Sequence, residues 1–541
     1  MAQAPDPAAN DKTDARPDPS LTPTKGTRSS YVLTRWLYLR LLGLVYFTAF
    51  HSWSTQIIGL NGEHGILPAS ELMHQISQMT QIGGMKGAMD CLAFPTVTWI
   101  NCSDPFLFSI TACGVIFSLL VILGIATAPS IMILGILYLS LNTICGEFSG
   151  FQSDGLLVEA SALTLFFAPW NLLEPHWHGP SRLTRQTPPS TSSLWLLRFL
   201  LFRLMFASGA VKLLSGDPTW ANLTAMSYHY ETQPIPTLLA WYAAHLPLWV
   251  EKATVLATFA CELVAPCLIF APRLFRFGAA AMIVALQVMI TLTGNYTFLN
   301  YLTIVLCVPL LDDQLLQALL PASLSKRITD GTSERTKSLT QRVVVIAATV
   351  LLFSLAGFQL LGTVLGRGVW MEPVMELMAY IGQYRVVNSY GMFAVMTTTR
   401  PEIDFEGSND GKTWLPYEFK VKPGSDLKRI PGWIAPYTPR LDWRLWFAAM
   451  EPADRNSWVM RFVEKLLEGS PEVLKLLEHN PFPDAPPKYI RAFAYDYHFT
   501  DETQHRASGE WWRRDNKRIY LPPLSLDGKQ LRGQENLEDV P

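Results

Sequence analysis

Charge is scarce in this sequence. Lys, Arg, Asp and Glu supply 16% of its 541 residues, against about 25% in an ordinary soluble chain. The net charge of −2 identifies no partner, and no basic patch rises above the short loops, which argues against nucleic acid. Cysteine is sparse: the 7 residues include no CxxC pair, so thiol redox catalysis is not indicated. GxSxG, HExxH, Walker A and GxGxxG are absent, and with them the common hydrolase and nucleotide-binding readings. No metal-ligand spacing occurs and no cofactor is expected.

Apolar sequence is what the chain has in excess. Runs near the ~20 residues that cross a bilayer recur at 36–56, 106–126, 130–147, 155–170, 194–214, 252–271, 277–293, 297–311 and 343–366. The expected fold is therefore a multi-pass α-helical membrane bundle of about nine spans with a C-terminal extramembrane α+β domain. Residues 1–30, rich in Pro, Asp, Ala and Thr, have the composition of a disordered tail and not of a signal peptide. The divisions are a 31–311 bundle of about eight spans, a 312–342 linker, a last span at 343–366, an α+β domain at 370–520 and a tail at 521–541.

Loop charges predict the orientation. Lys12, Arg16, Lys25, Arg28 and Arg35 precede or open the first span. Arg182 and Arg185, Arg273 and Arg276, and then Lys326, Arg327, Arg335, Lys337 and Arg342 follow in alternate loops. Lys86 is the lone cation in 61–105, and 215–250 has none. A cytoplasmic N-terminus with nine spans fits this pattern and puts the C-terminal domain outside, in the periplasm or the endoplasmic reticulum lumen.

Polar residues inside apolar runs need partners. Arg40 is expected to snorkel, and His51 to serve helix packing. Glu147, Gln152, Asp154 and Glu159 cluster near the outer ends of two spans, with Arg198, Arg203, Lys212 and Glu262 available to pair. An ion-pair network that fixes the bundle and a proton or substrate path both remain open. Cys91 and Cys102 share the outer side as a disulfide or as two free thiols. The other cysteines (Cys113, Cys145, Cys261, Cys267 and Cys307) read as packing residues. Asn101, Asn222 and Asn295 open N-x-S/T triplets on that side.

The outer stretch 208–236, SGAVKLLSGDPTWANLTAMSYHYETQPIP, is dense in aromatic and ionisable groups. Asp217, Trp220, Tyr228, His229, Tyr230 and Gln233 are candidates for client contact or for shaping a site. His229, Glu231, Lys212 and Glu159 form an acid–base set, with Glu231 able to orient His229. The same groups also suit an ordered loop. In the C-terminal domain, 402–406 alternates, Ser408–Gly411 signals a hairpin, and 414–421 would return. Helical spacing follows over 441–478. Tyr489, Phe493, Tyr495, Tyr497 and Phe499 then share one strand face, as sheet core or as an exposed protein-binding surface. Asn388, Tyr390, Arg400, Glu402, Glu406, Asp410, Arg440, Asp442 and Trp443 are expected to shape the platform, with Arg400–Glu402 and Arg440–Asp442 as two buried ion pairs.

Ordered blocks from about Arg35 to Arg514 carry a family likeness: LRLLGLVYFTAFHSWSTQIIGLNGEHGILPA, FQSDGLLVEASALTLFFAPW, FRLMFASGAVKLLSGDPTWANLTAMSYHYETQPIP, LTGNYTFLNYLTIVLCVPLLDD and NSYGMFAVMTTTRPEIDFEGSNDGKTWLPYEFKVKPG. In these the chain resembles the lipase maturation factor family. The resemblance implies a multi-pass membrane protein with a lumenal domain and a secreted lipase-like client. The short tails point to a bacterial inner membrane; a eukaryotic host would place the chain in the endoplasmic reticulum membrane. The competing expectation is an integral-membrane enzyme acting on a lipid-like substrate through the acid–base set.

Overall fold

A computed structural model describes residues 30–82, 88–174, 187–330, 339–366, 372–430, 432–528 and 530–533. Of the expected features, residues 1–29 of the tail, together with Lys86, Arg182, Arg185, Arg335 and Lys337, lie outside the described residues.

The apolar runs fold as helices α1 (Val32–Ser54), α2 (Asp104–Leu123), α3 (Thr127–Ile144), α4 (Gln152–Thr164), α5 (Thr191–Leu214), α7 (Leu248–Phe259), α8 (Arg273–Thr293), α9 (Leu299–Cys307) and α10 (Leu339–Leu365), and the outer stretch between α5 and α7 supplies α6 (Ala225–Thr232). Among the described residues, 5 helices are long and apolar enough to cross a membrane. A sixth results if Leu299–Leu310 and Asp313–Leu319, bent by 113°, count as one span. The other expected spans fall short of that length or hydropathy for physical reasons. α1 carries Arg35 and Arg40 and is largely enclosed by other helices. α4 has 13 residues, about 20 Å of helix. The 252–271 run is broken into α7, a π-helical turn at Ala260–Val264 and a short helix Ala265–Leu268.

Small residues let these helices approach closely. A Cβ on Gly114 would stand 2.1 Å from the Phe50 ring, and one on Gly43 would stand 2.9 Å from Ile122. Arg40 does not snorkel: it is buried and paired with Glu174, and donates to the Val121 carbonyl at 2.8 Å. His51 lies on an exposed face, stacked on Phe47, and is not packed between helices.

The bundle has two chemically distinct ends. At one, the Val32 and Thr34 amides donate to Asp313 at 2.8 and 3.1 Å, Arg35 donates to the Thr187 carbonyl at 2.9 Å, and Arg273 pairs with Asp312 at 2.5 Å. The 312–342 linker is partly helical there (Asp313–Leu319 and Ala322–Asp330) and buries Leu316 and Ile328 beside Val32 and Leu33. The C-terminal domain docks on the other end. Gln56 accepts from the Arg440 amide at 2.9 Å, and Asn295 accepts from the Ile434 and Ala435 amides at 2.9 and 3.0 Å.

That domain contains strands β1 (Pro401–Ser408), β2 (Leu415–Pro416), β3 (Glu418–Phe419), β4 (Leu477–His479), β5 (Tyr489–Phe499), β6 (Trp512–Asp527) and β7 (Gln530–Gly533). It also contains helices α11 (Arg440–Ala449) and α12 (Ser457–Glu468). Five strands form an antiparallel sheet in the order β2-β1-β5-β6-β7. The returning strand expected over 414–421 is cut short: β2 pairs only through Leu415 and Pro416, since proline cannot extend a ladder as a donor. β3 then leaves to pair with β4. That second pair also corrects the helical reading of 471–480, where the helix ends at Leu474. β6 and β7 carry the sheet beyond 520, so the expected tail boundary falls too early. Bulges along β5 and β6 divide the aromatic face. Tyr495, Tyr497 and Phe499 are buried with Trp512 and Trp241, whereas Phe493 is half-buried beneath Lys517.

Candidate functional site

The 208–236 stretch is where bundle and C-terminal domain interlock. Gly216 turns the chain with φ 72°, a conformation that suits glycine. Asp217 then caps the next turn through the Thr219 amide at 2.7 Å, while its second oxygen takes the Met396 amide at 2.5 Å. Burial pulls the Asp217 pKa upward, but these amide donors outweigh it and hold the carboxyl below its usual range. Trp220 donates to the Phe393 carbonyl at 2.9 Å, and Trp446 to Thr232 at 3.0 Å.

Arg400 clamps the end of the stretch. Its guanidinium donates to the Glu231 and Pro234 carbonyls at 2.7 and 2.8 Å and also to that of Gln233, and it pairs with Glu402 at 2.8 Å. Five fixed donors suit such a convergence of carbonyls. Lys422 adds a second cation 3.3 Å from Glu402. Gln233 is buried and donates to Tyr230 and Thr293. A Cβ on Gly294 would lie 2.0 Å from the Gln233 carboxamide, so the close approach requires glycine there. Trp443 packs on Phe151 and Tyr296.

The acid–base candidates are brought into separate arrangements. Glu231 does not orient His229: it bonds His498 at 3.0 Å and the Phe499 amide at 2.8 Å. His229 lies with its ring parallel to Tyr296, its Nε2 3.4 Å from the tyrosine oxygen. Burial, with the Lys212 ammonium nearby, brings the His229 pKa down to about 4, leaving the ring neutral at pH 7. Lys212 is held by both Glu262 oxygens, at 2.9 and 2.8 Å. Glu159 takes Arg203 at 2.6 Å and Tyr390 at 2.7 Å, with Asn388 donating from its amide and side chain at 2.9 and 3.1 Å. Tyr228 is exposed and Tyr230 buried. Among the described residues no cluster of His, Cys, Asp or Glu could hold a metal.

Other pairings differ from expectation. Arg440 binds Asp154 and not Asp442, which instead accepts the Val421 and Lys422 amides at 2.8 and 2.9 Å. Arg198 serves the Pro309 carbonyl at 3.0 Å, and Glu147 pairs with Arg444. Glu406 pairs with Arg491 at 2.7 Å, and Asp410 accepts the Lys412 and Thr413 amides in the hairpin turn. Cys91 and Cys102 are both free. Asn295 is buried and bonded to the C-terminal domain, which removes it as a glycosylation acceptor. Gln56, Trp241 and Trp446 carry no signal singled out from sequence, and Asn295 stands out there only as a glycosylation triplet; for Gln56 and Asn295 the available signal is an amide at the end of an apolar helix. Beneath this interface lies a cavity of about 450 Å³ that reaches Lys212, His229 and Glu262.

Two family models account for most of the chain. The lipase maturation factor transmembrane domain matches residues 33–318, and the lipase maturation factor C-terminal domain matches 386–522. Lipase maturation factor 2 of Gallus gallus is 34% identical over 93% of this chain and 84% of its own length. The Homo sapiens protein of the same name is 34% identical over 92% and 84%. Lipase maturation factor 1 of Mus musculus is 32% identical over 94% and 90%. No solved structure matches. The chain belongs to the lipase maturation factor family.

Proposed function

We propose that this chain is a membrane-embedded maturation factor that helps secreted lipases reach their active form. The observation that carries this reading is the likeness, over more than nine-tenths of the chain, to proteins named for that role, spanning both the helical and the C-terminal segments. The dispersal of His229, Glu231, Lys212 and Glu159 among separate partners supports ordering and contact over catalysis. The bundle crosses the membrane nine times, with α1, α4 and the broken helix from Leu248 to Leu268 completing the set. Its N-terminus is cytoplasmic and its C-terminal domain lies outside, where secreted clients fold. That membrane is the endoplasmic reticulum in a eukaryotic host or the inner membrane of a bacterium. Arg400, Glu402, Asn388, Tyr390 and Trp443 hold the platform in place, and Tyr228 and Trp433, both exposed, offer aromatic contacts.

The test compares a deletion strain with its parent for the amount and the specific activity of secreted lipases. Lipase protein that persists with lost specific activity, restored by the wild-type chain, is the expected result. Unaltered lipase activity would overturn the reading.

A further inference from the structure

The cavity beneath the interface has a polar end and apolar walls. Lys212, Glu262 and His229 line the former; Met226, Leu286 and Ile290 contribute to the latter. Ala253, Ala257, Ala285 and Met289 also line it and are exposed on α7 and α8, so the cavity opens through the flank of the bundle. That flank also presents Leu256, Val264 and Val288. In a bilayer such a surface faces hydrocarbon, so the opening is lateral, toward lipid. Small side chains at the mouth leave the passage clear.

The helix geometry fits a built site. The π-helical turn at Ala260–Val264 has Glu262 at its centre, and π turns inside helices occur often at functional sites. The turn delivers Glu262 to Lys212, which also sits 5.3 Å from the Trp220 ring centroid. The cation is thereby neutralised. His229 is buried and carries no charge at pH 7. The polar end offers hydrogen-bonding groups without net charge, and an anionic head would find the Lys212 ammonium that lines the cavity already bound by a carboxylate. The volume lies in the range of small-molecule sites, roughly 300–1,000 Å³.

We propose that this cavity binds a neutral single-chain amphiphile of the monoacylglycerol type, entering from the bilayer between α7 and α8. Its acyl chain lies along Leu286, Met289 and Ile290, and its hydroxyl or ester head meets the Lys212–Glu262 pair and His229. This binding is independent of any lipase client.

The experiment uses the full chain in nanodiscs and a monoacylglycerol probe with a photoreactive diazirine in its acyl chain, with labelled peptides mapped by mass spectrometry. Labelling is expected to concentrate on α7 and α8 and to be lost with excess unlabelled monoacylglycerol, but not with the matching fatty acid. Ala257→Trp, which fills the mouth from an exposed position, should lose labelling while unfolding at the wild-type temperature. Ala253→Phe repeats the test should that variant fail to fold. Labelling spread evenly over lipid-facing helices including α10, and insensitive to competitor and substitution, overturns the site. Equal competition by the fatty acid overturns the neutral head. Neither result bears on lipase maturation, which the deletion strain reads separately.

Discussion

Arg440 and Asp154 lie 286 residues apart in the chain and meet at 2.9 Å in the interior, joining α11 of the C-terminal domain to α4 of the bundle. The guanidinium is fully buried, 3.6 Å from the Trp53 ring centroid, and also donates to the Phe148 carbonyl at 2.7 Å. Removing one member strands a buried charge, which typically costs about 3–5 kcal/mol. Arg440→Leu and Asp154→Leu should each destabilise the detergent-solubilised protein by that order, and the double variant by less than the sum. Thermal unfolding of all four proteins in a double-mutant cycle checks this; strict additivity would show that the pair is not coupled.

His229 makes stability fall with acid. Its folded pKa, about 4, lies below its ordinary value of 6.5. Between those values the unfolded chain binds the proton first, so its contribution is complete above pH 6.5 and declines as pH falls toward 4. The full effect is about 3 kcal/mol. Unfolding temperatures between pH 6.5 and 4.5 should slope less steeply for His229→Gln than for wild type. Equal slopes would place the titration elsewhere.

Legibility of the ion pairs followed backbone geometry. Arg400 and Glu402 flank the start of a strand, where residues two apart share a face, and their pairing was readable from spacing. Arg440 and Asp442 have the same separation on a helix, where such residues do not face each other. Each therefore had to find a distant partner that local sequence cannot supply. The same division holds for the fold. Apolar runs announced the helices and alternation announced β1 and β5, because those periods are local. The broken helix around Glu262 and the premature end of β2 depend on what the chain meets in space. At the site, the 208–236 stretch stood out by composition, but its use as an interlock required the carbonyls to be seen converging on Arg400.

Free thiols at Cys91 and Cys102 have a direct signature. Cys91 is exposed and Cys102 half-buried. Both should be alkylated by maleimide in purified protein without reductant, Cys91 the faster, and Cys91→Ser should leave the stability within about 0.5 kcal/mol of wild type. A thiol count that rises only after reduction would show a disulfide.

Glycosylation provides a readout of orientation. Asn101 and Asn222 are exposed, whereas Asn295 is buried. Expressed in a eukaryotic secretory pathway, the chain should lose one glycan-dependent mobility shift with Asn222→Gln and none with Asn295→Gln. Absence of any shift that enzymatic deglycosylation can remove would argue against the proposed outer placement of these loops.

The Arg440–Asp154 pair also bears on biosynthesis. α4 is made nearly three hundred residues before its cation, and until then Tyr138 is the hydrogen-bonding side chain that α3 supplies to Asp154. Throughout that interval the helices already made hold a carboxylate whose guanidinium is still to be translated. The bundle is thus finished only by a segment synthesised after it, and a chain interrupted before Arg440 leaves the Asp154 carboxylate without its guanidinium.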